Sequence, residues 1–293
     1  MTATELRTTP DWEVDFYSRP ILEADGRKRW ELLICSTPAP GGGAEFRWQR
    51  NCPADSVNSL WLREAFSDAM AAAAAAGFGA PRRLRCWRGA MRAMVQRAAD
   101  GLSLELVASR RCFALRDWLE QREREVYPHE PGYLSGPLAP PPVPLQPPAR
   151  PLPEAARGER WSWASLPAAA LADAADWEAG FAALLPLPAG VAGEAAVPGI
   201  RLFSRRRGLA IAGWLAGLEP ARLEISEGQL VLEAALDDRW RLAVLPADEA
   251  AAAAAAFATA REQAGGLQFL AVQSDDRAER FEGLWMLRDL PDG

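Results

Sequence analysis

"WEVDFYSRPILEADGRKRWELLICS" runs from Trp12 to Ser36 and contains a strand, a tight turn and a second strand. Trp12, Val14 and Phe16 alternate with Glu13, Asp15 and Tyr17, the period of two that marks a strand with one apolar face. "ADGRK" supplies the turn, and residues 29–35 supply the second strand. A plain hairpin needs no charges on its other face, so that face is catalytic, nucleic-acid-binding or simply solvated. Glu13, Asp15 and Glu31 lie among Arg19, Arg27 and Arg29, and the reading is that these charges compensate one another and face solvent.

Outward from the hairpin, a third strand is expected over residues 45–50, after the flexible "PAPGGG". A helix follows, with Asp55 or Ser56 as its expected N-cap, apolar residues at Val57, Trp61, Ala65 and Ala69, and a stop at Gly77. "RRLRCWR" reads as a short strand, "GAMRAMVQRAADG" as a helix, "LSLELVAS" as a strand and "CFALRDWLEQREREV" as a helix stopped before Pro128. The order βββαβαβα over residues 1–136 is that of a ribonuclease H-like domain. Nucleases of that fold hold two metal ions with carboxylates that steady the attacking and leaving oxygens. Asp15, Glu64 and Asp117 are the candidate ligands here, yet the fourth strand offers only arginines where another acid is needed. A metal-dependent nuclease is therefore the minor alternative; no metal, no cofactor and no catalytic residue is expected, and the chain is not read as an enzyme.

From Pro137 to Pro153 nine of 17 residues are proline, which forbids helix and central strand and favours a stiff spacer. Residues 137–157 are taken as a linker, and residues 158–293 as a smaller α+β domain. In it "ARLEISEGQLVLEAALDDRWRLAVLP" reads as strands around a Glu-Gly turn, residues 247–264 as an Ala-rich helix, and "LQFLAVQ" and "GLWMLRDL" as strands. A helix is also expected between Leu171 and Leu185.

Composition excludes several functions. With 293 residues, 49% hydrophobic and 25% charged, the chain can bury two cores. Its longest apolar runs fall short of the roughly 18 residues of a membrane helix. No export or organelle signal is visible, so the cytoplasm is expected. Cys35, Cys52, Cys86 and Cys112 match no zinc or disulfide spacing and read as reduced core thiols; the single histidine, His129, cannot build a metal cluster. Phosphate-loop, dinucleotide and serine-hydrolase motifs are missing. The net charge of −6 divides into +2 over residues 1–150 and −8 over the rest, which places polyanion affinity in the first half.

Within that half, no acid occurs from Ala69 to Ala99, whereas Arg82, Arg83, Arg85, Arg88, Arg92 and Arg97 do, with Trp87 among them. Arg110 and Arg111 follow the next strand. Guanidinium forks suit phosphate, and indole or guanidinium planes stack on unpaired bases. Arg82, Arg83, Arg85, Trp87, Arg88, Arg92, Arg110 and Arg111 are the candidate residues for binding single-stranded nucleic acid.

"WEVDFYSRPILEADGRKRWELLICS" (12–36), "SRRCFALRDWLEQREREVYPHEPGY" (109–133), "GERWSWASLP" (158–167) and "GLQFLAVQ" (266–273) resemble, in order, the Tab/Atab-type RNA-binding proteins of cyanobacteria and chloroplasts. Gln268 and Trp87 depart from the histidine and phenylalanine of that pattern. The resemblance implies binding of A/U-rich single-stranded leader RNA and promotion of translation and biogenesis of photosystem subunits, photosystem I above all. It implies no catalytic residues. The ribosome or photosystem assembly proteins are further partners it allows, and a protein-binding assembly factor is the alternative function.

Overall fold

The computed structural model describes residues 11–39, 42–136 and 147–289. They form two compact units, residues 11–37 and 44–136 in the first and 38–39, 42–43 and 147–289 in the second. Residues 137–146, most of the expected spacer, lie outside the described residues.

The first unit contains β1 (Asp11–Leu22), β2 (Lys28–Ser36), β3 (Arg47–Cys52), α1 (Ser59–Ala75), β4 (Arg83–Cys86), α2 (Arg92–Asp100), β5 (Glu105–Ala108) and α3 (Phe113–Glu125). Its sheet has the order β3-β2-β1-β4-β5, antiparallel from β3 to β1 and parallel from β1 to β5. The helix α1 starts three residues later than Asp55: Asn58 Oδ1 accepts from the Leu60 and Trp61 amides at 2.9 and 3.0 Å, while Ser56 N is used by a turn closing on Pro53 O.

The central strand is buried on both faces. Trp12, Val14 and Phe16 pack with Leu32, Ile34 and Leu84 under Leu62 and Phe66 of α1 and Val95 of α2. On the other face Ile21, Leu33 and Cys35 pack against Cys112, Leu115 and Leu119 of the α3 region and against Tyr127. This corrects the reading of the hairpin as solvent-facing: Glu13, Asp15, Glu31 and Arg19 are 1%, 0%, 2% and 3% exposed. The cause is topological, because a strand with parallel and antiparallel neighbours and helices on both sides has no wet face. The alternation of apolar and charged residues therefore separates an apolar core from an ionic one.

After α3 the chain returns to the end of β1, where Leu22 N donates to Gly132 O at 2.8 Å and Leu134 N to Pro20 O at 2.9 Å. Gly132 has φ +81°, and a Cβ there would lie 2.1 Å from the Leu22 carbonyl oxygen. Gly132→Ala is expected to cost about 2 kcal/mol through backbone strain and displacement of this clasp. A urea midpoint equal to that of the parent would contradict it.

All four cysteines are buried in this unit. Burial pushes the Cys52 thiol up to about 12 and the Cys86 thiol up to about 11, and those of Cys35 and Cys112 well above the ordinary range.

The second unit contains β6 (Arg150–Pro151), β7 (Arg160–Pro167), α4 (Ala168–Ala172), β8 (Ala179–Ala183), β9 (Ala196–Phe203), α5 (Gly208–Ala216), β10 (Pro220–Ser226), β11 (Gln229–Ala234), β12 (Asp238–Val244), α6 (Ala250–Gln263), β13 (Leu267–Gln273) and β14 (Phe281–Arg288). They build two sheets, β10-β11-β12-β6 and β7-β9-β13-β14-β8. Leu223, Leu230 and Leu232 of the first and Ile200, Leu202, Leu270 and Trp285 of the second share one core with Ile211, Leu215 and Phe257 from the helices. The buried Gln268 links the sheets by accepting the Leu223 amide at 2.7 Å. The Glu-Gly turn is real, with Glu227 and Gly228 at φ +52° and +71°, the twist a two-residue hairpin requires.

Two sequence expectations change in this unit. The helix between Leu171 and Leu185 reduces to α4 at Ala168–Ala172 and a 3-10 turn at Ala174–Asp176, because Ala179–Ala183 pairs in parallel with β14. At Gly180 a Cβ would come within 2.9 Å of Glu282 O, so the missing side chain permits that pairing. The end of the expected linker, Arg150–Pro151, is an edge strand beside β12, a position that tolerates proline.

Candidate nucleic-acid interface

The polar face of β1 is a buried ion network. Asp15 receives Arg19 at 2.8 Å and a second guanidinium from Arg88. Glu31 accepts Arg19 Nε at 2.9 Å, Arg122 Nη2 at 2.6 Å and the Tyr127 hydroxyl at 2.6 Å. Burial alone would raise the Asp15 carboxyl, yet Arg19 and Arg88 hold it below the usual carboxylate range. Glu13 has weaker help: Leu115 N donates to it at 2.9 Å and Thr37 Oγ1 at 3.2 Å, with Arg85 and Arg111 nearby, and burial pushes its carboxyl up to about 7.

The eight candidate residues divide between the two ends of β4. At its amino end Arg83 Nε lies 2.9 Å and Arg85 Nη1 2.8 Å from the carboxylate of Asp11, and Arg82, 64% exposed, reaches the same group at 3.7 Å. At its carboxyl end the structure gathers Trp87, Arg88, Arg110 and Arg111, since Ser109 N donates to Cys86 O and carries the β5–α3 turn alongside. Arg85 and Arg111, one from each group, both lie near Glu13. Arg92 begins α2, just beyond that end, and is exposed.

At the carboxyl end a column of stacked planes forms. The Arg88 guanidinium lies 4.0 Å from the Tyr17 ring and 4.1 Å from the Trp87 ring, and Arg116 covers Trp87 at 4.4 Å. Tyr17, 36% exposed, brings the column to the surface. Each contact is of the cation–π type, worth about 0.5–2 kcal/mol. Tyr17 and Arg116 were absent from the sequence-derived candidates; a tyrosine alternating with buried carboxylates and an arginine on the buried side of a helix were the available signals. Arg85 and Arg111 are buried, Arg111 lying over Phe113 at 5.4 Å, so they belong to the framework beneath this surface.

The candidate metal carboxylates are not gathered. Asp15 faces α3, Glu64 lies on α1 in an exposed pair with Arg50 at 3.3 Å, and Asp117 is exposed on α3. Among the described residues no group of three or more His, Cys, Asp or Glu is arranged to hold a metal ion, and no helix is long and apolar enough to cross a membrane.

Fold and site together define a two-unit α/β protein with a cationic, ring-stacked surface at the carboxyl ends of parallel strands, the edge at which open α/β sheets take their ligands. Profiles described as "RNA-binding protein Tab2/Atab2 N terminal" and "RNA-binding protein Tab2/Atab2, C-terminal domain" match residues 11–122 and 140–288. The chain belongs to the Tab2/Atab2 family of RNA-binding proteins. It is 33% identical over 291 residues to the chloroplastic TAB2 homolog of Zea mays, covering 96% of this chain and 72% of that protein. It is 31% identical over 298 residues to the one from Arabidopsis thaliana, covering 96% and 75%. No solved structure matches.

Proposed function

We propose that this protein binds single-stranded, A/U-rich leader RNA through the carboxyl edge of β4 and β5, on a ribonuclease H-like first unit, and thereby promotes translation of photosystem subunits in a cyanobacterial cytoplasm. The observation that carries the reading is the Tyr17–Arg88–Trp87–Arg116 column at the strand edge that also bears Arg92 and Arg110. Arg88 and Arg116 cover Trp87, so base stacking falls to the exposed Tyr17 ring, and arginine forks grip the backbone between bases. Membership of an RNA-binding family and the chloroplastic names of the plant relatives support the RNA and photosynthetic parts of the reading.

The test is equilibrium binding of A/U-rich leader RNA and of a scrambled control, titrated with salt. Arg92→Gln with Arg110→Gln is expected to weaken binding and to reduce the slope of log K against log salt by roughly 0.7 for each lost phosphate contact. An unchanged slope would reject this edge as the interface, and equal affinity for the scrambled RNA would reject the A/U preference.

A further inference from the structure

The sharpest contrast in the molecule is between arginines held by carboxylates and arginines held mainly by neutral oxygens. In the first unit Asp11, Asp15 and Glu31 each take two or more guanidinium groups, so those arginines are held by carboxylates inside the protein. Around Phe203 in the second unit, arginines converge on neutral oxygens. Arg157 Nε donates to Leu152 O at 2.7 Å; Arg201 donates to Gln273 Oε1 at 2.6 Å and to Asp276 O at 3.2 Å; Arg207 donates to Glu154 O at 3.1 Å and Arg157 O at 3.3 Å. Arg160 and Arg201 both stack on the Phe203 ring, at 4.1 and 4.8 Å. A carbonyl orders a guanidinium without removing its charge, and each planar fork keeps further N–H donors.

The loop between β9 and α5 adds Arg205 and Arg206, both exposed, with no side-chain ion pair or hydrogen bond among the described residues. The nearby acids offset part of this charge, but none pairs with Arg205 or Arg206 among the described residues. Asp276 pairs with Arg160 at 3.1 Å, Glu159 is engaged by Ser204 Oγ and the Arg205 amide at 3.2 Å each, and Asp275 accepts the Arg277 amide. Glu154 and Glu282, the latter packed against Gly208, are further carboxylates of the cluster, and the described structure gives neither side chain an arginine partner. The surface lies at the carboxyl ends of β9 and β13, which run parallel.

We infer that this cluster is a second binding surface, for the phosphate backbone of a single-stranded RNA, in a half of the chain whose total charge is strongly negative. Ordered, unneutralised forks at carbonyl-set positions are what phosphate oxygens accept from, and their preordering lowers the entropy lost on binding. The inference rests on the RNA reading of the protein but not on the edge of the first unit. It differs from that reading in its surface: the contacts here are to backbone and carry no base preference.

The experiment uses the full chain, with RNA binding measured across a salt series for the parent, for Arg205→Gln with Arg206→Gln, and for Arg63→Gln with Arg124→Gln. The last pair removes the same charge from exposed positions of the first unit. The expected result is a roughly tenfold loss of affinity near 0.1 M salt for the Arg205/Arg206 variant, a slope lower by roughly 1.4, equal losses on A/U-rich and scrambled RNA, and little change in the charge-matched control. Both side chains are exposed, so an unchanged urea midpoint will show that folding is intact. Parent-like slope and affinity in the Arg205/Arg206 variant would overturn this inference and leave RNA binding standing. Equal losses in the charge-matched control would reduce it to general electrostatics and overturn it too. A parent protein that binds no RNA would overturn both readings together.

Discussion

Glu31→Gln is expected to destabilise the first unit by about 3–5 kcal/mol, the range found when one partner of a buried ion pair is removed. Glutamine keeps the shape but presents an NH2 group where only acceptors serve. Arg19, Arg122 and the Tyr127 hydroxyl all donate to this carboxylate, so one donor would face another inside the core. The corresponding fall in the urea midpoint is roughly 2 M, at a typical slope of about 2 kcal/mol per molar. Tryptophan emission offers a direct readout, since Trp12 and Trp30 lie within this unit. A midpoint within 0.2 M of the parent, taken as roughly the precision of such a titration, would mean that the network is not under the strain of burial assigned to it.

The second large effect concerns acidity. The carboxyl of Glu13 is pushed from an ordinary 4.5 up to about 7 by burial, so the folded unit holds its proton over a range in which the unfolded chain has lost it. Stability rises with pH only where the unfolded state binds more protons; here the folded state binds more. Glu13 therefore adds stability below about pH 4.5, loses that contribution progressively as pH climbs to about 7, and changes nothing above. The full swing amounts to roughly 3 kcal/mol at about 1.4 kcal/mol per pH unit. Asp15 acts in the opposite sense, because Arg19 and Arg88 hold its carboxyl low and its contribution fades only in stronger acid. Glu13→Gln is expected to flatten the decline between pH 4.5 and 7, measured as urea midpoints on a pH series. A parent-like decline in the variant would assign the effect to another group.

Much of the chain could be read without coordinates, for physical reasons visible in particular residues. The alternation of Trp12, Val14 and Phe16, the Glu227-Gly228 turn and the Ala-rich helix over 250–263 are local signals, and each appears where local chemistry demands it. What alternation cannot say is what covers the second face of a strand. That depended on Leu115 and Leu119 of α3, some hundred residues downstream of β1. The acid-free arginine window is limited in the same way. Arg83 and Arg88 find Asp11 and Asp15 at separations of 72 and 73 residues, so a window without acids in sequence is not one without acids in space. Conversely, the run Arg205-Arg206-Arg207 is contiguous in sequence but lies in the half whose net charge is negative. Residues from the stretches that carry the family resemblance, among them Asp15, Arg19, Glu31 and Tyr127, build the ionic core. Recognition by motif thus identified the scaffold more securely than the surface that touches RNA.

The sealed thiols of the first unit give it a built-in clock. Cys35, Cys52, Cys86 and Cys112 are all covered, and all are too weakly acidic to form thiolate near neutrality. An alkylating pulse can therefore tag them only during excursions that expose them, while the second unit, which contains no cysteine, stays silent. Counting tags by mass after timed pulses reports the breathing of one half of the protein, with and without RNA, and needs no engineered probe.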